Sequence, residues 1–329
     1  MNGKQKLAQV GRGFCMGCAD IIPGVSGGTV ALTLGIYERL VGSIRLMDAQ
    51  LVKGVFSGRF WKLLWQGLVG TLPELPAEER EGDPLVRRVE AALFIGFLVL
   101  GILAAIAAAA KVITMARDGY PEATRGFFLG LVAASVKVPF GYMKQRKWKE
   151  YLAIVLFTTG TWLLLGLGQV DVHDPSLFYV FAGGALAICA MILPGISGAF
   201  ILLMLGLYDP VLLAVKRLVY EQDFASVPTL AVLVGGILVG IVAFSRVLHY
   251  LLKNHHDVTM GALVGLMLGS LRVLWPFKEA SANAHARTET LANVLPQTFD
   301  GTFFATLVAF VVGVVIVLAL EQVGKRVKA

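Results

Sequence analysis

Pro23-Gly24-Val25-Ser26-Gly27-Gly28-Thr29 interrupts an apolar stretch near the start of the chain. Proline removes a backbone donor, glycine weakens a helix, and lipid offers no partner for the backbone groups so released. A second break, Pro194-Gly195-Ile196-Ser197-Gly198, follows 171 positions later. At that spacing Cys18 meets Cys189, Gly35 meets Gly206, Tyr37 meets Tyr208 and Glu38 meets Asp209. A shorter spacing of 135 pairs Gly130, Ser135 and Lys137 with Gly265, Ser270 and Arg272. The chain therefore reads as two related halves, 1–171 and 172–329, with unequal insertions such as the acidic loop Glu74–Asp83.

Composition sets the class. The chain is 57% hydrophobic and 16% charged, with a mean hydropathy of +0.74, well outside the range of a soluble domain of 329 residues. Apolar runs near 91–115, 123–139, 150–168, 229–252, 258–275 and 302–321 approach the length that crosses a bilayer. The net charge of +7 lies in clusters between these runs, so it reads as topology and not as a nucleic-acid surface. No cleavable signal peptide is evident, because Pro23-Gly24 cuts the first apolar stretch.

Each half is expected to hold a broken helical hairpin followed by three spans. The hairpins cover about 10–46 and 178–217, and their arms, such as Val10–Ile22 and Thr29–Ser43, are short for full crossings. Both are therefore read as re-entrant. An odd number of crossings per half inverts the second half, giving an all-α polytopic protein of two inverted-topology repeats. Charge agrees: with the N-terminus inside, Lys4, Lys6, Arg12, Lys144, Arg146, Lys147, Lys149, Lys253, Lys325, Arg326 and Lys328 all fall on the cytoplasmic side. Asp171 and Asp174 fall outside, and Lys216-Arg217 is the awkward outer pair. Both termini are thus expected in the cytoplasm. Residues 51–70, with Lys53, Arg59, Trp61 and Lys62, read as an interfacial helix.

Inverted repeats with interrupted helices are a transporter signature, with the substrate held where the repeats meet. A helix start carries unpaired N–H groups that favour an anion, glycine admits a ligand close to the backbone, and hydroxyls add hydrogen bonds. Ser26, Gly27, Gly28 and Thr29 in the first break, and Ser197 and Gly198 in the second, are the expected binders of a phosphate or carboxylate. Asp20, in the first arm, is costly in lipid and a candidate for proton coupling, although Met191 stands opposite it in the second half. Glu38 and Asp209 end the second arms, where they carry protons, pair with Arg39, or face solvent at the interface. Lys137 and Arg272 occupy matching places late in the second spans, toward opposite faces. Each either greets an anion or snorkels to the interface. Cys15-Met16-Gly17-Cys18 has redox or metal spacing, but no second pair or nearby histidine completes such a site, and it reads as small residues in a membrane helix. His255-His256 reads as a solvated loop pair.

The run Gly17-Cys18-Ala19-Asp20-Ile21-Ile22-Pro23-Gly24-Val25-Ser26-Gly27-Gly28-Thr29, followed by Leu34-Gly35-Ile36-Tyr37-Glu38, resembles the polyprenyl-phosphate transporter family over nearly the whole chain. The resemblance implies translocation of undecaprenyl phosphate across the bacterial cytoplasmic membrane, returning the lipid carrier for envelope-polymer synthesis. It implies a lipid-phosphate partner, no cofactor, no nucleic acid and no enzymatic step, with a proton or sodium gradient as the candidate energy source. The second break departs from the first: Ala199 and Phe200 replace Gly28 and Thr29. Two rivals are a transporter of a small soluble anion and an undecaprenyl-pyrophosphate phosphatase. The phosphatase resemblance expects Ser-Arg-Ser after the Pro-Gly, whereas Ser26-Gly27-Gly28 supplies no arginine, and Glu74 and Glu78 lie in a polar loop.

Overall fold

A computed structural model describes residues 3–20, 26–70, 83–166, 170, 172, 175–280 and 291–328. The described residues are mostly helical. The first hairpin comprises α1 (Gly3–Asp20), a return helix α2 (Gly27–Thr33) and α3 (Tyr37–Arg45). After α4 (Ala49–Val55) and α5 (Gly58–Val69) come the long α6 (Pro84–Gly119), α7 (Pro121–Ser135), α8 (Lys137–Tyr142) and α9 (Trp148–Leu164). The second hairpin comprises α10 (Leu177–Ile192), α11 (Gly198–Met204) and α12 (Tyr208–Tyr220), followed by α13 (Val227–Asn254), α14 (His256–Ser270) and α15 (Gly301–Lys328).

Four stretches among the described residues are long and apolar enough to cross a membrane: Pro84–Ala109, Pro121–Tyr142, Phe224–Asn254 and Gly301–Gln322. The bent pair Gly198–Met204 and Tyr208–Leu218 makes a fifth if taken as one span. The sequence reading expects six. The other two expected runs form α9 and α14, which at 17 and 15 residues are helical but short.

Three further details depart from the reading. The second arm of each hairpin is two helices and not one, because Gly35 and Gly206 take positive φ of 68° and 65° and end α2 and α11 in the same way. In each, the glycine N–H bonds back to Leu32 or Leu203 and the next N–H to Ala31 or Leu202, a left-handed cap that turns the chain. The turn between α11 and α12 is 108°. The interfacial segment is also two helices, since Ser57 stops α4 and caps α5 by accepting from the Phe60 N–H. Finally, residues expected to be all helical or loop include a two-stranded antiparallel ribbon, β1 (Lys278–Ala280) against β2 (Leu291–Asn293), in the mixed segment after α14.

Packing follows from small residues, as expected where lipid gives helices no hydrophobic reason to associate. Gly13 and Gly17 of α1 lie against Leu98 and Ile102 of α6, so the two helices run side by side in the same direction. Gly236 and Gly240 of α13 meet Phe181 and Ala185 of α10. Gly126 and Gly130 of α7 meet Thr306 and Phe310 of α15, and Gly261, Gly265 and Gly269 of α14 meet Glu150, Ile154 and Thr158 of α9. A side chain at any of these glycines would push two backbones apart. The main core gathers Leu32, Val41, Phe94, Leu98, Val132, Leu263 and Met267 around α2. Asp48 caps α4 and takes a bidentate contact from Arg88 at 2.9 and 3.1 Å, which ties α4 to α6 and holds the Asp48 carboxyl down at about 2.

Candidate functional site

Residues just after the first Pro-Gly meet the second break. α10 ends with carbonyls that have no helical partner, and lipid would leave them unpaired. The Ser26 hydroxyl donates to one of them, Leu193 O, at 3.1 Å, with Met191 O at 3.4 Å. In return the Gly195 N–H donates to Thr29 Oγ1 at 3.0 Å. Hydroxyls of the first hairpin thus complete the backbone of the second. Gly28 permits this approach, because a Cβ there would stand 2.8 Å from Ile192 O.

The start of α2 is closed by its own neighbours. The Gly27 N–H donates to Asp20 Oδ1 at 2.7 Å and the Gly28 N–H to Ser26 Oγ at 3.1 Å. Asp20 therefore spans the break and caps the return helix, and the helix dipole favours a carboxylate there. Pro23, Gly24 and Val25 lie outside the described residues. A hydroxyl chain leads on from the junction: Thr33 bridges Thr29 O and Ser135 Oγ, both at 3.0 Å, and Ser135 donates to Leu131 O. Ser26, Thr29 and Ser135 are all fully buried.

The second break is less closed. Ser197 is buried but makes no capping bond to α11, and Gly198 packs on the Ala187 carbonyl. Asp20, Ser26, Gly27, Gly28 and Thr29 are thus brought to one place against the second break, whose Ser197 and Gly198 follow two and three residues after Gly195.

The remaining candidates stand apart from it. Glu38 lies 3.3 Å from His256 Nε2, and His256 Nδ1 lies 3.1 Å from Asp257. Arg39 does not pair with Glu38; its guanidinium sits 4.3 Å over the Phe94 ring, because consecutive helical residues point in different directions. His256 is accordingly held between two carboxylates and is not a free loop histidine. Asp257 also accepts the Lys144 and Gln145 amides, which fixes the α8–α9 turn to the start of α14. Asp209 is exposed in the first turn of α12.

Lys137 opens α8, 3.5 Å from Glu321 of α15. Arg272 follows α14, about 22 Å along that helix from the His256 end. Its guanidinium donates to Trp162 O at 2.8 Å and stacks on the Trp162 ring at 5.3 Å. Sequence reasoning missed two companions of Arg272. Arg125 donates to Pro276 O, and Lys278 to Val273 O. Burial, with Arg125 and Arg272 nearby, pushes the Lys278 ammonium down to about 8.

Beside the junction runs a deep apolar groove of about 660 Å³. Its walls come from α1, α6, α7 and α15, including Phe14, Cys18, Phe127, Leu131, Val312 and Ile316. Ala19, Val30 and Thr33 of the first hairpin form its inner edge, and Cys15 and Cys18 face it as ordinary packing surface. Thr33 also lines a second, more polar cavity of about 550 Å³ that holds Lys137, Arg146 and Glu321. One threonine therefore borders an apolar channel on one side and a charged vestibule on the other. Among the described residues no cluster of His, Cys, Asp and Glu could hold a metal ion.

A family model described as undecaprenyl phosphate translocase-like matches residues 16–292, which include both breaks and all these side chains except Phe14, Cys15, Val312, Ile316 and Glu321. The chain belongs to that family. Two curated relatives extend the likeness. A polyprenyl-phosphate transporter of Vibrio cholerae is 35% identical, with 96% of each chain covered. A polyprenyl-phosphate transporter of Staphylococcus aureus is 27% identical, with 97% of each covered. No solved structure matches. Across the family's span, the resemblance expected from the first break is thus met over the length of the molecule.

Proposed function

We propose that the chain carries a polyprenyl phosphate, in the first instance undecaprenyl phosphate, between the leaflets of the bacterial cytoplasmic membrane, and that it does so without enzymatic chemistry. The observation that carries this reading is the 660 Å³ apolar groove alongside the hydroxyl-lined hairpin junction, with Thr33 on the border between groove and vestibule. A prenyl chain needs an apolar path open to lipid, and its phosphate needs donors and cations within reach of that path. A soluble anion would have no use for the groove.

In this reading the halves are inverted repeats, 1–171 and 172–329. The support is the pattern of partners: α1 with α6 matches α10 with α13, and α7 with α15 matches α14 with α9 when the halves are exchanged. The phosphate passes the junction formed by Ser26, Gly27, Gly28, Thr29, Ser197 and Gly198. Lys137 and Arg272 serve the two leaflets, and Asp20 carries the coupling proton if a gradient drives the cycle. Both termini face the cytoplasm on the evidence of the basic segments.

Photo-crosslinking with a diazirine-bearing prenyl phosphate tests the reading. Labels are expected in α1, α7 and α15, with competition by farnesyl phosphate and none by inorganic phosphate at the same concentration. Competition by inorganic phosphate alone would favour the soluble-anion transporter instead.

A further inference from the structure

A third concavity, of about 430 Å³, lies between α3, the first turns of α6 and the last two turns of α13. Its wall carries Arg39 and Arg45 from α3, Arg87 from α6, and His249 and Lys253 from α13, against one carboxylate, Glu90. Neither the hairpin junction nor the groove contributes to it. Charge gathered from three elements is unusual because like charges repel unless something neutralises them.

The neighbouring arginines show what neutralisation looks like in this protein. Arg88, one residue from Arg87, is held by Asp48, and Arg59 pairs with Asp83. Among the described residues no carboxylate forms an ion pair with Arg39, Arg45, Arg87 or Lys253. Arg39 rests its guanidinium over Phe94, so Arg45, Arg87 and Lys253 remain as cations without an ion-pair partner along one open concavity.

Depth identifies the class of ligand. α5 packs Phe60 and Leu63 onto Val86 and Val89 of α6, at the level of Arg87 and Glu90. On its other face Trp61 and Trp65 stay 57% and 68% exposed beside Arg59 and Lys62. Exposed tryptophans flanked by basic residues mark the headgroup layer of a bilayer. The pocket thus opens where lipid phosphates lie, and guanidinium forks suit phosphate oxygens.

We propose that this pocket is a phosphate site for a lipid head at the membrane surface, separate from the hairpin junction. Because α3 directly follows α2, an occupied pocket also steadies the end of the first hairpin.

Hydrogen exchange on the full chain in nanodiscs tests this, with farnesyl phosphate, phosphatidylglycerol and inorganic phosphate as separate probes and farnesol as the uncharged control. A lipid-borne phosphate is expected to protect residues 37–46, 87–91 and 249–253, and farnesol is not. Replacing Arg45→Gln, Arg87→Gln and Lys253→Gln together should weaken that protection by at least about tenfold in probe concentration, as charge-assisted bonds are lost. Arg45→Lys with Arg87→Lys should retain most of it. Protection by inorganic phosphate at equal strength would assign the site to free phosphate instead of a lipid. No protection by any phosphate probe, or unchanged protection in a triple variant with wild-type melting, overturns the proposal. Transport is a separate readout: pocket protection in a protein that moves no prenyl phosphate would leave this site standing and remove the function proposed above.

Discussion

The first hairpin and the second share a Pro-Gly break and a Gly-x-Tyr-acid ending, yet their return helices stand in different surroundings. Every residue of α2 is buried, whereas α11 buries only Gly198 and Met204. α2 is capped twice, by Asp20 and by Ser26, while Ser197 leaves α11 without a side-chain cap. Met191, in Asp20's place, is 41% exposed and offers no carboxylate. Tyr37 is 3% exposed, but its counterpart Tyr208 is 39% exposed. The two breaks share a sequence pattern, but their surroundings make one a fixed post and the other a looser partner that leans on it. The Ser26–Leu193 and Thr29–Gly195 bonds are that support.

The largest effect is expected where the looser hairpin has no room at all. Gly195 has φ of 91°, and a Cβ there would stand 2.9 Å from the Met267 Cα. Gly195→Ala combines a left-handed conformation, which costs about 1–2 kcal/mol, with a backbone displacement. Its melting temperature in detergent should fall clearly and transport should be lost. Wild-type melting would mean that the second tip is not packed as described.

A serine pair sharpens the contrast between the tips. Ser26→Ala removes an N-cap and leaves the Leu193 carbonyl unpaired, for about 1–2 kcal/mol of stability. Ser197→Ala should stay within about 0.5 kcal/mol of wild type, since no cap is lost. Its effect should appear in prenyl phosphate affinity instead. Equal destabilisation by the two would erase the asymmetry.

Smaller, sided effects are expected at the ends. Arg272→Gln should slow capture from one leaflet and Lys137→Gln exchange with the other, in initial rates from oriented vesicles. Arg272→Lys should recover only part of the loss, since lysine cannot use the forked geometry. Equal small effects of both substitutions on both faces would return the pair to snorkelling. The underlying orientation is open to cysteine labelling, with position 147 expected on the cytoplasmic side and position 297 outside.

How much of this was readable in the sequence depends on the range of the interaction. The repeated Pro-Gly and Gly-x-Tyr motifs gave away both breaks, and the apolar runs the helices, because these are local properties of the chain. Thr33 could have been found with Thr29, four residues earlier on the same helical face. The bonds across the junction join residues more than 160 positions apart, as Ser26 with Leu193, and no spacing rule reaches that far. Asp20 stands out in the sequence as a carboxylate costly in lipid, but its capping of the Gly27 N–H depends on how the break folds back. Glu38 met His256 instead of Arg39 for the same reason: α14 comes from the other half of the chain.

The measurement that bears most directly on the central claim is leaflet-resolved transport of labelled undecaprenyl phosphate in proteoliposomes, comparing wild type with Gly27→Val. A Cβ at Gly27 would lie 2.5 Å from the Asp20 carboxylate, so valine disrupts the junction without touching the groove. The account predicts protein-dependent movement of the label between leaflets, strongly slowed in the variant. Movement no faster than in protein-free vesicles, or wild-type rates from a well-folded Gly27→Val protein, would contradict it.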